Sequence, residues 1–177
     1  MIFGIFTMKT IICNQELSIV EMDETMYYDV WQNSLDENVR RFVPDEVFET
    51  LEIATEVVDS LIENYKTGEL PLVYAVMRNE DKANLGYVQL VDINQGKEIG
   101  YHIAQKYCGH GYATNAVSLF LQYLKQEMNL KEIYGVALMD NVASRRVLEK
   151  NGFLPIYQGK GQYQGQEREI VITIKNI

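Results

Sequence analysis

The sequence predicts one α+β domain, a three-layer α/β arrangement, over residues 1–177. A chain of 177 residues that is 47% hydrophobic is long enough for one well-packed core and too short for two. No low-complexity tract, internal repeat or Pro/Gly/Ser-rich linker divides it. The hydrophobic patterns follow the order strand, helix, helix, three strands, helix, strand, helix and two strands, which is typical of the α/β and α+β classes.

Seven segments have the alternation or the short apolar runs of β-strands: residues 16–22, 72–78, 84–93, 98–104, 132–138, 154–162 and 167–175. Four segments have helical spacing: a short helix through Trp31 capped by Asp23 or Thr25, then residues 47–66, a helix behind Gly111 to about residue 128, and residues 141–151. Pro44 and Asp45 are expected to open the long helix and Gly68 to end it. Residues 72–78 are almost all apolar, so this strand is expected to be buried on both faces of an antiparallel meander.

Composition excludes several function classes. A net charge of −9 and a pI near 4.7 do not suit a basic nucleic-acid-binding surface, whereas they suit a cationic partner. Cys13 and Cys108 lack disulfide or zinc-ligand spacing, so we expect no metal and a reducing cytoplasmic setting. The opening MIFGIFTM lacks a basic n-region and is far shorter than the roughly 20 residues of a membrane span, so we interpret it as a strand or a mobile start and expect no membrane partner.

The segment QKYCGHGYATNAV places Gly109 and Gly111 between a strand and a helix. The first turn of a helix has unpaired backbone N–H groups and partial positive charge. Glycines allow an anion such as a phosphate to approach this backbone closely. A purely structural turn is the alternative. The P-loop pattern and the Rossmann pattern are both absent, since the segment lacks their glycine spacing.

The segment EIGYHIAQKYCGHGYATNAVSLFLQYL, followed by a strand and then by DNVASRRVLEKNGF, resembles the GNAT acetyltransferase superfamily. The resemblance is greatest to the Rim-type branch, which contains ribosomal-protein N-terminal acetyltransferases, and it is closest over residues 96–153. It implies a mixed, mostly antiparallel sheet of about six or seven strands flanked by helices. It also implies an N-acetyltransferase that binds acetyl-CoA, its acetyl donor, where two strands splay apart.

The resemblance also assigns cofactor-binding residues. The pyrophosphate of acetyl-CoA would lie on a loop consisting of Cys108, Gly109, His110, Gly111, Tyr112 and Ala113. Many relatives have Gln or Arg where this chain has Cys108, so one pyrophosphate contact is expected to be missing. Ile103 and Ala104 would offer main-chain groups to the pantetheine arm, and Asn141 and Ser144 match positions that commonly contact the cofactor.

Transfer to an amine requires the loss of a proton, because an alkylammonium titrates near ~10. Glu98 aligns with a glutamate used as general base in some relatives, and its alternative is a solvated strand carboxylate. Many relatives have a tyrosine general acid where this chain has Leu148. Ser144 is then the nearest motif residue with a proton to offer, and its alternative is a helix-start residue that satisfies local N–H groups.

Weaker candidates for the chemistry are His102, His110 and an acetyl-Cys108 route. His102 either lines the cleft or packs, and His110 is expected to point outward. A metal held by His102, Cys108 and His110 lacks a fourth ligand nearby in sequence. Tyr27, Tyr28 and Trp31 are candidates for the wall of the acceptor site.

The predicted function is transfer of acetyl to a primary amine, either a peptide or protein N-terminus or a small cationic amine. The alternatives are a non-catalytic acyl-CoA-binding regulatory domain and a nucleotide-binding module. The sequence leaves open the identity of the amine and whether the protein is a monomer or a homodimer.

Overall fold

The structure is a computed structural model and describes residues 8–177. These residues form eight β-strands: β1 (Thr10–Cys13), β2 (Leu17–Glu21), β3 (Leu72–Arg78), β4 (Asn84–Ile93), β5 (Gly96–Ile103), β6 (Glu132–Leu138), β7 (Leu154–Tyr163) and β8 (Gln166–Asn176). They also form five α-helices: α1 (Tyr27–Ser34), α2 (Glu37–Phe42), α3 (Leu51–Thr67), α4 (Tyr112–Gln126) and α5 (Val142–Lys150). The prediction made for the opening MIFGIFTM falls outside the described residues at all positions but the last, Met8.

All eight strands belong to one sheet in the order β1-β2-β3-β4-β5-β6-β8-β7, and only β5 and β6 are parallel neighbours. The predicted mixed, mostly antiparallel sheet flanked by helices is confirmed. The expected number of strands was too low, because β1 was missed. This strand has only four residues and lies at a sheet edge with its ends exposed, so it lacks the apolar run that identifies a buried strand.

Helices cover both faces of the sheet and create two apolar layers. Helices α4 and α5 pack on one face, where Phe120, Leu124 and Leu148 contact strand residues such as Leu90 and Ile133. Helices α1 and α3 lie over the other face. Strand β3 alternates between the layers, with Leu72, Tyr74 and Val76 on one side and Val73, Ala75 and Met77 on the other. Burial of β3 on both faces, as predicted from its apolar sequence, is confirmed.

The first helical region differs from its prediction. Asp23 caps a 3₁₀ turn, Glu24–Met26, that precedes α1. Its side chain accepts a hydrogen bond from the Thr25 N–H, so Thr25 is not the cap. Helix α2 was missed, and α3 begins at Leu51 rather than near residue 47. Thr50 accepts a hydrogen bond from the Ile53 N–H and fixes that start. Pro44–Glu46 form a separate 3₁₀ turn, which holds Glu46 beside the sheet.

The predicted ends of the later elements lie within two residues of those in the structure. Gly68 ends α3 with φ of +75° in the left-handed region. Helix α4 ends at Gln126, two residues before its expected end. The β7–β8 turn has Gln164 and Gly165 at φ of +47° and +71°, as a tight hairpin requires. No helix in residues 8–177 is long and apolar enough to cross a membrane.

Candidate active site

Strands β5 and β6 diverge and open a cleft in the middle of the sheet. Their parallel pairing consists of a single residue pair, Glu98 with Tyr134, whereas β6 pairs with β8 along its whole length. A cavity of about 730 Å³ lies at this split and is lined by both strands, by the loop before α4 and by the start of α5. This volume is within the usual range for a small-molecule site.

The loop before α4 forms one end of the cleft. Gly109 and Gly111 have φ of +85° and +84°, a backbone conformation that favours glycine, and a Cβ at either position would meet nothing within 4 Å. Within residues 8–177, the N–H groups of Gly109, His110 and Gly111 donate no hydrogen bond. Tyr112 begins α4, so the free N–H groups of its first turn lie behind the loop. These donors and this open approach fit a pyrophosphate.

The two positions at the end of β5 differ in what they can offer a ligand. The Ala104 N–H donates to the Leu85 carbonyl at 2.7 Å, and the Ala104 carbonyl accepts from the Tyr107 N–H at 2.8 Å. Both main-chain groups of Ala104 are therefore hydrogen-bonded within the protein. The Ile103 carbonyl faces the Cys108 thiol, with Sγ at 3.4 Å. The Ile103 carbonyl accepts this weak thiol hydrogen bond, whereas both Ala104 groups are held by backbone hydrogen bonds, so a main-chain contact with the pantetheine arm at Ile103 displaces the weaker partner.

Asn141 and Ser144 lie at the start of α5, where both line the cavity. The Asn141 side-chain oxygen accepts from the Ser144 N–H at 3.1 Å, so Asn141 is the helix cap and Ser144 is not. The Ser144 hydroxyl is 2.9 Å from the hydroxyl of Tyr101, which also donates to the Ser144 carbonyl at 2.8 Å. Leu148 is buried against Gly135 and does not line the cavity.

Two carboxyl groups, Glu98 and Glu46, line the cavity and carry raised pKa values. Burial raises the pKa of Glu98 to about 7, the nearby backbone N–H of Val136 opposes this rise, and the charge of Glu46 adds to it. Burial likewise raises the pKa of Glu46 to about 7, against the effect of a hydrogen bond donated by Gln89 at 3.1 Å. Their charges also contribute, after burial, to a Tyr163 pKa of about 12.

The geometry of β5 explains how Gln89 reaches Glu46. Gly100 lies between Glu98 and His102 on the same face of the strand. A Cβ on Gly100 would lie 2.5 Å from the Gln89 side-chain nitrogen, so only glycine leaves this space free. The next residues along the strand, Ile99 and Ile103, belong to the apolar layer under α4. Glu98 therefore faces the side of α1–α3, and Tyr101 faces the side of α4 and α5.

His102, His110 and Cys108 have surroundings that do not favour catalysis. Burial lowers the pKa of His102, although Asp36 lies 3.6 Å from its Nε2 and opposes this effect. His110 is exposed and stacks on Tyr112. Burial raises the pKa of the Cys108 thiol, so the thiolate that an acetyl-cysteine route needs is disfavoured. No group of three or more potential metal-ligating side chains occurs in the described part of the chain.

The sequence patterns missed Glu46, Gln89, Tyr101 and Tyr163. Tyr101 could have been predicted, because it lies in the same strand motif as Glu98. The alternation of side chains along a strand places it on the cofactor side of the sheet. Glu46 and Gln89 had no usable signal, because a turn and a strand remote in sequence bring them together. Of the first-helix aromatic residues expected at the acceptor wall, none lines this cavity.

A sequence model of the acetyltransferase (GNAT) domain matches residues 18–154. The chain belongs to the GNAT family. It is 27% identical over 143 residues to the uncharacterized N-acetyltransferase YnaD of Bacillus subtilis, covering 80% of this chain and 81% of YnaD. The family and the relatives named N-acetyltransferases support an acyltransferase enzyme.

Solved GNAT structures share this fold. RimL, a ribosomal L7/L12 α-N-protein acetyltransferase in complex with coenzyme A, superposes with a TM-score of 0.81 at 17% identity, over 96% of this chain and 98% of RimL. The microcin C7 self-immunity acetyltransferase MccE, in complex with acetyl-CoA and AMP, has a TM-score of 0.79 at 18% identity, over 93% of this chain and 94% of MccE. The predicted resemblance to GNAT enzymes, ribosomal-protein acetyltransferases included, is confirmed, and acetyl-CoA is the acetyl donor of the family.

Proposed function

We propose that this GNAT enzyme transfers acetyl from acetyl-CoA directly to a primary amine, either a peptide or protein N-terminus or a small cationic amine. The observation that carries the proposal is that one cavity at the split between β5 and β6 brings the loop and the carboxyl groups together. It is lined by the loop and helix residues Cys108, Ala113 and Ser144 and also by the carboxyl groups of Glu46 and Glu98. A donor and an acceptor can therefore meet in one space.

The donor-binding groups are those of the loop and the two elements beside it. The backbone N–H groups of residues 109–113 hold the pyrophosphate at the start of α4, whereas the Cys108 N–H already donates to the Gln105 carbonyl at 3.2 Å. The main chain of Ile103 contacts the pantetheine arm, and Asn141 and Ser144 contact the cofactor near its reactive end. Acetyl-CoA supplies a thioester whose thiolate leaves readily, since a thiol titrates near ~8.5.

Glu98 removes the proton of the acceptor amine, directly or through water. A general base works best with a pKa close to the working pH, and burial brings the pKa of Glu98 to about 7. Glu46 lines the same cavity, and its charge contributes to that shift. It therefore supports Glu98 electrostatically and attracts the ammonium form of the acceptor.

Ser144 is the nearest motif hydroxyl to the reacting end of the donor and stabilises the leaving sulfur, which departs as a thiolate and takes its proton from water. Its hydroxyl is 2.9 Å from that of Tyr101, and both residues line the cavity. Leu148, at the position where many relatives have a tyrosine, is 1% exposed and packs against β6, so it takes no part. Tyr101 acts through Ser144 and is a positioning residue.

The test is release of CoA thiol from acetyl-CoA with a panel of acceptors: short peptides with free N-termini, spermidine and an aminoglycoside. We expect release with one class of amine, and a mass gain of one acetyl group on that amine. Absence of release with every amine, while acetyl-CoA still raises the melting temperature, would instead support a non-catalytic acyl-CoA-binding domain.

A further inference from the structure

A second cavity of about 410 Å³ lies on the side of the sheet covered by α1 and α3. Its surface is mostly apolar and includes Val30 of α1, Val57 and Leu61 of α3, and Val73 of β3. A space of this size and character is typical of a site for an apolar ligand group. The cofactor-binding and catalytic roles proposed above assign no ligand to this second cavity.

Two buried polar atoms of the lining have no hydrogen-bond partner within residues 8–177. They are Asn84 Nδ2 and His102 Nε2. Asn84 is only 5% exposed, and its side-chain oxygen accepts from the Gly86 N–H at 3.0 Å, which fixes the amide and leaves Nδ2 as the free donor. Buried donors are nearly always paired in proteins, so this one indicates a ligand with a hydrogen-bond acceptor.

The two cavities are adjacent. Glu46, Tyr87, Gln89, Val91 and His102 line both of them. The hydrogen bond from Gln89 to Glu46 lies at their boundary. An acceptor whose amine lies beside the carboxyl groups of the first cavity is thus close enough to place a substituent in the second.

We propose that the second cavity binds the apolar substituent of the acceptor, and that the enzyme acts on amines with a large aliphatic or aromatic group and a nearby carbonyl or hydroxyl. The carbonyl or hydroxyl accepts from Asn84 Nδ2. This inference rests on the proposed acetyltransferase function and narrows it, because polyamines and aminoglycosides lack an apolar group that could fill the cavity.

The test compares amines that differ only in that group. Phenylalaninamide and glycinamide both present an α-amine and a carboxamide, and Phe-Gly against Gly-Gly repeats the comparison with peptides. We expect kcat/KM to be at least about tenfold higher with the phenylalanyl member of each pair, since a methylene in an apolar pocket discriminates by about 10- to 200-fold. Equal values, or faster turnover with spermidine, would overturn this inference and leave the acetyltransferase proposal standing.

A substitution in the second cavity provides the second arm. Val57→Phe places a larger side chain into it, and Ile53→Phe, at an exposed position on the same helix, is the matched control. The phenylalanine preference should be lost in Val57→Phe and kept in Ile53→Phe. Retention of the preference in Val57→Phe would contradict the inference. A rise in melting temperature with acetyl-CoA shows that each variant is folded.

Binding without turnover separates this inference from the proposed function. 3-Phenylpropionamide has the apolar group and the carbonyl but no amine. It should raise the melting temperature of the wild type and of Ile53→Phe, but not of Val57→Phe. If no amine is acetylated and this shift is still seen, the proposed function fails while the apolar site stands. If the wild type shows no shift, the apolar site fails.

Discussion

Glu98 and Glu46 are two carboxyl groups that reach one cavity from different parts of the chain. Glu98 lies on β5 at the one residue pair, within residues 8–177, that joins β5 to β6, and Glu46 lies in the 3₁₀ turn before α3. Burial is the main cause of both raised pKa values, and each value is about 7. At neutral pH either group can hold or release a proton, as a general base requires.

Substitution separates the two roles. Glu98→Gln is expected to lower kcat by about 10²- to 10⁴-fold, because it removes the proton acceptor. Glu46→Gln keeps the hydrogen bond from Gln89 and is expected to act mainly on KM. Glu132→Gln, at an exposed carboxylate on β6, is the matched control. Steady-state CoA release measures all three variants, and an unchanged kcat in Glu98→Gln would remove this residue from the mechanism.

The pH profile gives an independent test of the same pair. The base must be deprotonated, so activity should rise with pH through about 7, the pKa of Glu98. In Glu46→Gln the neighbouring negative charge is gone, so the pKa of Glu98 falls and the rising limb moves to lower pH. If the rising limb of the pH–activity profile lies at the same pH in Glu46→Gln as in the wild type, the charge of Glu46 does not act on the base.

Cys108 tests the direct-transfer route. Its thiol has a raised pKa, so it is a poor nucleophile at neutral pH. Cys108→Ala should retain kcat within about threefold, because direct transfer does not use the thiol. If Cys108 were a covalent nucleophile, its loss would lower kcat far more than this. The measurement is CoA release together with mass spectrometry of the protein during turnover. An acetyl group on the wild-type Cys108, and an inactive Cys108→Ala, would establish the covalent route instead.

At the scale of elements, the end of β5 depends on how closely β4 approaches it. A Cβ on Gly86 would lie 2.0 Å from the His102 carbonyl oxygen, and its φ of +146° is outside the usual range of other residues. Ile103, which leads into the loop, is the β5 partner of Gly86. The β4–β5 contact therefore sets the position of the cofactor loop.

Gly86→Ala should lower the free energy of unfolding by more than about 2 kcal/mol, because a backbone atom must move and the new residue is strained. Gly165→Ala is the matched control, since it also has a positive φ but meets nothing within 4 Å. Its cost should be close to 1 kcal/mol. Urea denaturation measures both. Equal decreases in the free energy of unfolding of the two variants would show that β4 can move away from the new side chain without an energetic cost.

At the scale of the whole molecule, the partly buried carboxyl groups of Glu98 and Glu46 link stability to pH. The folded-state pKa of Glu98 is about 7, raised from an ordinary value of 4.5. Between these two values the folded protein holds a proton that the unfolded chain has lost, so this group makes stability fall as pH rises through that window. Glu98→Gln should therefore raise the melting temperature more at pH 8 than at pH 5. An equal gain at both pH values would contradict the raised pKa.

Much of the fold was predictable because local signals agree with it. Gly68, Gln164 and Gly165 have the conformations that their sequence positions suggest, and the strand over residues 132–138 has the predicted bounds. Periodicity could not locate β1, α2 or the start of α3, since short exposed elements depend on tertiary contacts. The loop and Glu98 were predicted as site residues from a motif, whereas Glu46 was missed because only the fold brings it to the cleft.

The single pair between β5 and β6 also divides the sheet into two blocks, β1–β5 and β6–β8. Beyond that pair, the facing edges of β5 and β6 have backbone N–H and C=O groups that do not pair with a neighbouring strand. Unpaired strand edges of this kind can pair with a strand of another chain, which leads to aggregation. In this protein they face a cavity lined by residues of α2, α4 and α5, so helices flank the position that an added strand would occupy.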